Sequence, residues 1–95
     1  MHIDFTARHV HAPDNIRSYA KNEVQRIKAK FDRITHCKII LFHENNLYTT
    51  EINVSLPSHR LNVKETTHNM TKSIDKAVDK MIIRVKKVKE KMITH

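Results

Sequence analysis

Between Met70 and Met92 the apolar residues Met70, Ile74, Ala77, Val78, Met81, Val85, Val88 and Met92 recur every three or four positions. At about 100° per residue they form one stripe along a helix. Earlier in the chain Ile16, Ala20, Val24, Ile27, Phe31 and Ile34 recur at the same spacing. Pro13 ahead of them suits a helix start, where its missing N–H does no harm, and Asp14 suits the first turn. This predicts a first helix running to about Phe31 or Asp32. Elsewhere the period falls to two, the signature of half-buried strands. Ile3, Phe5 and Ala7 alternate with Asp4, Thr6 and Arg8; Cys37, Ile39 and Leu41 alternate with Lys38, Ile40 and Phe42. Ile52, Val54 and Leu56 alternate with Glu51, Asn53 and Ser55, and Leu61 and Val63 with Arg60, Asn62 and Lys64. Asn45-Asn46 predicts a turn, because Asn tolerates positive φ, and Pro57-Ser58 predicts a tight connection. Asn69 or His68 leads into the second helix.

The order is β-α-β-β-β-α, with no linker or internal repeat. Two amphipathic helices need a surface for their apolar stripes, and one face of a four-stranded sheet supplies it. The expected fold is an α+β two-layer sandwich with both helices packed on one face of the sheet. Its 95 residues, 1–95, make a single domain with one modest core.

Charge adds a second pattern. Opposite the apolar stripe of the second helix stand Lys72, Lys76, Lys80, Arg84, Lys87 and Lys91, a row about 28 Å long at roughly 1.5 Å per residue. Like charges at i, i+4 repel by roughly a few tenths of a kcal/mol per pair, so the row does not serve helix stability. Asp75, Asp79 and Glu90 dilute it, mostly toward one flank. On the first helix Arg17, Lys21 and Lys28 fall within roughly 40° of one another. Helices lying side by side with these basic flanks facing would form a cationic groove. Eighteen Lys+Arg against ten Asp+Glu give a net charge of +8, suited to a polyanion. Aromatic residues are few, so recognition should go to phosphates, sugars and RNA shape rather than to stacked bases. Arg8 and Arg33 could reach the same surface or serve as surface ion-pair partners. Ile40 and Phe42 are expected on the open sheet face as a candidate protein contact.

Several chemistries drop out. Glycine is absent, which excludes glycine-rich phosphate loops, and no nucleotide or other cofactor is expected. Cys37 is the single cysteine and is expected in the core; it permits no internal disulfide and fits a reducing compartment. His9-Val10-His11 and His36-Cys37 lack a second cluster at metal-ligand spacing, so no metal site is expected. Ser58-His59 are neighbours whose side chains point apart, without an oxyanion hole, so no catalytic residue and no small-molecule substrate are assigned. No apolar run approaches the roughly 18 residues of a membrane span, and Met-His-Ile-Asp-Phe is not a signal peptide; a cytoplasmic protein is expected. A basic helix on an anionic membrane is the rival from another class, weakened because its stripe lacks Trp and Phe. A module binding free double-stranded RNA is the alternative within nucleic-acid binding.

Ala29-Lys30-Phe31-Asp32-Arg33-Ile34 closing the first helix, and Asn69-Met70 through Ile74-Asp75 into Asp79-Lys80-Met81, resemble the ribosome hibernation promoting factors and their relative protein Y. The resemblance spans the whole chain. It implies a non-enzymatic protein that binds the 30S subunit and the 70S ribosome of resting bacteria, in the mRNA channel and the A and P tRNA sites. Basic helices would contact 16S rRNA, and occupancy would inhibit translation and promote inactive 70S or 100S particles in stationary phase or stress. A chain ending soon after the second helix resembles the short factors, which act with a separate ribosome modulation factor. The implied RNA-binding residues are Arg17, Lys21, Lys28, Lys76, Lys80, Arg84, Lys87, Lys89 and Lys91. Where the family usually has arginine this chain has Ile83, with Arg84 one residue on, about 100° around the helix.

Overall fold

The computed structural model describes residues 1–93, in six elements: β1 (His2–Arg8), α1 (Asp14–Lys28), β2 (His36–Glu44), β3 (Leu47–Leu56), β4 (His59–Thr67) and α2 (Met70–Ile93). The sheet order is β1-β2-β3-β4. β1 pairs parallel with β2, while β2–β3 and β3–β4 are antiparallel. Parallel neighbours need a crossover, and α1 provides it. The two antiparallel connections are two-residue turns. Asn45 and Asn46 both take positive φ, 53° and 63°, as a turn matched to strand twist requires. In the second, Ser58 takes φ 60° after Pro57, and Leu56 pairs with His59 across it.

Strand parity builds the core. Register sets Phe5 beside Ile39, Ile39 beside Ile52, and Ile52 beside Val63, all on the helix-covered face. Ala20, Val24 and Ile27 of α1 and Ile74, Ala77, Val78, Met81 and Val85 of α2 close over them, each fully buried. Burying one Val, Leu, Ile or Met side chain contributes about 1.5–3 kcal/mol, so this apolar layer dominates the stability. Cys37 is buried in it as expected, and desolvation pushes its thiol up to about 12. Two polar residues share the core: Thr50 Oγ1 and Ser73 Oγ lie 2.8 Å apart, and Ser73 also donates to the Met70 carbonyl at 2.7 Å. That satisfied pair ties the first turn of α2 to β3.

Helix ends differ slightly from expectation. α1 stops at Lys28, three or four residues early. The Lys30 and Phe31 amides donate to the Ile27 and Lys28 carbonyls, tightening the last turn to i→i+3 bonds. This turn drops Phe31 into the core instead of carrying it around the helix. Pro13 sits at the N-cap rather than inside the first turn. α2 begins on an Asn69 cap whose side-chain oxygen accepts from the Lys72 amide at 2.9 Å.

Ile40 and Phe42 do occupy the face away from the helices, but they do not form an open apolar patch. Ile40 is only 5 % exposed, flanked in register by Thr6 and Glu51. Phe42 is half-buried, with the Arg8 guanidinium 5.5 Å from its ring centre. Arg8 therefore belongs to this face and not to the helical surface.

Candidate nucleic-acid interface

Three contacts fix how the helices lie. Tyr19 Oη donates to Asp75 Oδ1, Arg26 Nη2 donates to Asp79 Oδ1 at 2.9 Å, and Lys89 Nζ donates to the Lys30 carbonyl at 3.1 Å. Residue numbers rise together along both helices, so α1 and α2 run parallel. The seam between them is lined by Tyr19, Glu23, Arg26, Asp75, Asp79 and Lys89. Arg26 also donates to Glu23 Oε2 at 2.8 Å, and the two carboxylates raise its pKa. The acid groups that dilute the α2 row, Asp75 and Asp79, are thus turned inward against α1. Asp75 and burial push the Tyr19 hydroxyl up to about 12.

This geometry corrects the expected groove. Arg17, Lys21 and Lys28 do share one flank of α1, but that flank faces β1, away from α2. The Arg17 guanidinium lies 5.1 Å from the Phe5 ring centre, and its Nε donates to the Ala12 carbonyl at 3.3 Å. Lys28 reaches the Met1 amino group and lowers its pKa through hydrogen bonding and charge repulsion. Lys21 is exposed between them. The sequence reading placed the two basic flanks face to face because spacing reveals which residues share a flank, not which neighbour the flank meets.

The α2 row is where the cations are free to face solvent. Lys72, Lys76, Lys80, Arg84, Lys87 and Lys91 are all exposed, on the top of α2 and its side toward β4. Lys80 Nζ pairs with Glu65 Oε2 of β4 at 3.2 Å, and Arg84 Nη1 donates to the Asn62 carbonyl at 3.2 Å. These contacts hold the long side chains along the outer edge. A surface pair of this kind is worth under about 1 kcal/mol and yields readily to a phosphate. Lys72 and Lys76 border a shallow hollow with Thr66, Thr67, His68 and Asn69, where the cap residues present hydroxyl and amide groups. Ile83, 56 % exposed, sits at the centre of the row, and it is the one exposed large apolar side chain among the described residues.

Lys89 leaves the ridge. It lies on the α1 side of α2, and its bond to Lys30 places a cation at the C-terminal end of α1, where helix carbonyls lack partners. The helical layer thus has two cationic fronts: Arg17, Lys21 and Lys28 along one edge, and the α2 ridge along the other. At about 10–12 Å per helix they stand roughly 20 Å apart, in keeping with the 21 Å middle dimension of the molecule.

Sequence reasoning missed the cations of the other face. Lys38 and Arg60 border a hollow of about 350 Å³ with His36, Asn53, Ser55, Leu61 and Asn62. Strand parity held the signal, since Lys38 alternates with core residues just as Ile40 does. Of the histidines considered as ligands, His9 takes φ 59°, which breaks the extended alternation with His11. His59 Nδ1 donates to the Pro57 carbonyl at 3.0 Å and is not aimed at Ser58. His2 and Asp4 of β1 and the sequence-distant His36 of β2 do converge on the open face.

Comparison with known proteins bears on what this surface meets. The model of the family described as sigma 54 modulation protein / S30EA ribosomal protein matches residues 3–93. The chain is similar to a ribosome hibernation promoting factor of Pseudomonas putida, at 26% identity over 91 residues, 96% of this chain and 89% of the relative. It is similar to another of Acidithiobacillus ferridurans at 27% identity, covering 79% of this chain and all of the relative. A ribosomal subunit interface protein from Coxiella burnetii has the same fold, with a TM-score of 0.89 and 26% identity over 95% of this chain and 99% of that one. The N-terminal domain of Thermus thermophilus protein Y gives a TM-score of 0.84 and 28% identity over 93% and 99%. No described helix is long and apolar enough to cross a membrane.

Proposed function

Because the chain belongs to the sigma 54 modulation protein / S30EA ribosomal protein family, we propose that it is a ribosome hibernation factor whose 95 residues act as one binding unit on the 30S subunit. Its place is the mRNA channel with the A and P tRNA sites, where the two fronts contact 16S rRNA. Occupancy excludes messenger and tRNA, and translation stops without covalent chemistry. The product is an inactive 70S or 100S particle, the latter with ribosome modulation factor as a second partner.

The observation that carries this reading is the asymmetry of α2. Its carboxylates Asp75 and Asp79 are turned against α1, while Lys72, Lys76, Lys80, Lys87 and Lys91 stand on the outside. A rigid helix holds those cations about 5–6 Å apart along about 28 Å, close to the phosphate spacing of an RNA strand. Two fronts roughly 20 Å apart suit a protein gripped between two RNA walls better than one lying on a single duplex. Each cation that neutralises a phosphate releases condensed counterions, so affinity should fall steeply with salt.

The test is inhibition and its reversal. Added to purified ribosomes, the protein should inhibit translation in proportion to its occupancy of 30S subunits and compete with messenger and initiator tRNA. Stripping it with high salt should restore full activity with rRNA intact. Cosedimentation with 30S subunits, run beside anionic liposomes and free duplex RNA, should favour the subunit. Preference for liposomes or duplex RNA would replace the reading by one of its rivals, and cleaved rRNA would replace occlusion by catalysis.

A further inference from the structure

The sheet face turned away from the helices holds a side-chain cluster that lies outside both cationic fronts. His2 and Asp4 are two residues apart on β1 and so project to the same face. His36 is the register partner of His2 on the parallel neighbour β2. His2 Nε2 lies 3.1 Å from Asp4 Oδ1, and His36 Nε2 lies 2.8 Å from Asp4 Oδ2. The imidazoles meet edge to face with ring centres 5.2 Å apart. One ligand atom from each of the three residues lies within 4.8 Å of the others. We propose that His2, Asp4 and His36 form a surface binding site for one divalent transition-metal ion of the zinc, cobalt and nickel class, bridging β1 to β2.

The donor set selects the ion. Two imidazoles and a carboxylate suit zinc and its neighbours, whereas calcium and magnesium prefer all-oxygen shells. The geometry is nearly in place. Ligands about 2.0–2.2 Å from a tetrahedral zinc stand roughly 3.3 Å apart; the three donor atoms lie within 4.8 Å of one another, so small side-chain rotations suffice to bring them to that spacing. Asp4 holds both Nε2 atoms against its carboxylate, one at each oxygen, and the strands beneath are held by a continuous ladder from His2↔His36 to Arg8↔Phe42. Three protein ligands leave a fourth position open to water, as in exchangeable rather than closed structural sites. Lys38 opposes Asp4 in register and tempers the affinity without blocking the site, since its long side chain is exposed. The bound ion would pin the edge strand β1 to the sheet and add positive charge to the face opposite the α2 ridge.

The experiment titrates the untagged full chain with cobalt(II) and with zinc(II). Calorimetry reads stoichiometry, visible absorption reads the cobalt ligand field, and melting temperature reads linkage to folding. The expected result is one saturable ion per chain, a raised melting temperature, and an affinity at least about tenfold lower in His36→Gln and in Asp4→Asn. His43→Gln should bind like the original. Should His36→Gln or Asp4→Asn lose the fold by circular dichroism, His2→Gln, at a residue whose side chain is 71% exposed, gives the same reading on a folded chain. Absence of saturable binding would overturn the proposal. So would unchanged affinity in all three variants, or loss of binding on replacing His9 and His11 instead.

Discussion

The two flanks of α2 are built from the same kinds of residue and put them in opposite states. Toward α1, Asp75 and Asp79 meet Tyr19 and Arg26, and Lys89 meets the end of α1, so charge is spent on holding two helices together. Toward solvent and β4, Lys72, Lys76 and Lys87 stand exposed, and Lys80 and Arg84 make contacts weak enough to exchange. A charged residue's role therefore depends on which neighbour its flank meets. The inner flank should govern stability and the outer flank affinity, and variants can separate the two.

The largest effect should come from the outer flank. Replacing Lys80, Lys87 and Lys91 together with Ala should remove the three phosphate contacts proposed for them, each worth roughly fivefold at about 0.15 M salt. Binding to 30S subunits, measured by cosedimentation, should weaken by about 100-fold. The fold should persist, since exposed substitutions usually stay within about ±0.5 kcal/mol. A triple variant that binds like the original would move the site elsewhere. Next comes the β1-side front: Lys21→Ala should weaken binding by roughly fivefold and lower the salt slope by about 0.7–0.9. No change there would confine the interface to α2.

The inner flank should show the reverse pattern. Tyr19→Phe removes the hydrogen bond to Asp75 and should cost about 1 kcal/mol of stability in urea unfolding, less than a buried bond to a charged group because this one is half-exposed. Binding should not change. The same bond predicts an alkaline signature. Folding raises the Tyr19 pKa from 10.0 to about 12, so its stabilisation is fully present below pH 10 and is lost as pH rises through about 12. Tyrosinate absorbance should show a late-titrating phase, and Tyr19→Phe should remove it. The remaining effect is a gain. Ile83→Arg places a cation at the centre of the ridge and should tighten binding by roughly fivefold with a slope steeper by about 0.7–0.9.

Much of this molecule is legible in its sequence. The core stripes, the two turns and the helix-covered face follow from local periodicity, because each needs only neighbours within a few residues. β1 is found at the length read for it, since Ile3, Phe5 and Ala7 alternate without interruption. The end of α1 was misplaced because Phe31 continues the helical spacing while packing into the core from a tightened turn. The site was read in part. Periodicity grouped Arg17 with Lys21 and Lys28, and Lys72 with its row, but the direction of a flank depends on which element lies alongside. Lys89 shows the limit: as one more lysine in a basic helix it resembles its neighbours, and only the fold brings it to the Lys30 carbonyl at the end of α1. His2, Asp4 and His36 escaped for the same reason, since parallel register brings together residues 32 apart.

The central claim is that the outer flank of α2, and not the inner one, binds ribosomal RNA by counterion release. The most direct measurement is 30S affinity against salt concentration for the original chain, the Lys80/Lys87/Lys91 variant and Tyr19→Phe. With about six phosphates neutralised, the original chain should give a logarithmic slope of roughly −4 to −5. Tyr19→Phe should share that slope, and the triple variant should be shallower by about 2 to 3. A slope near zero for the original chain, or the same slope for the triple variant, would contradict the account.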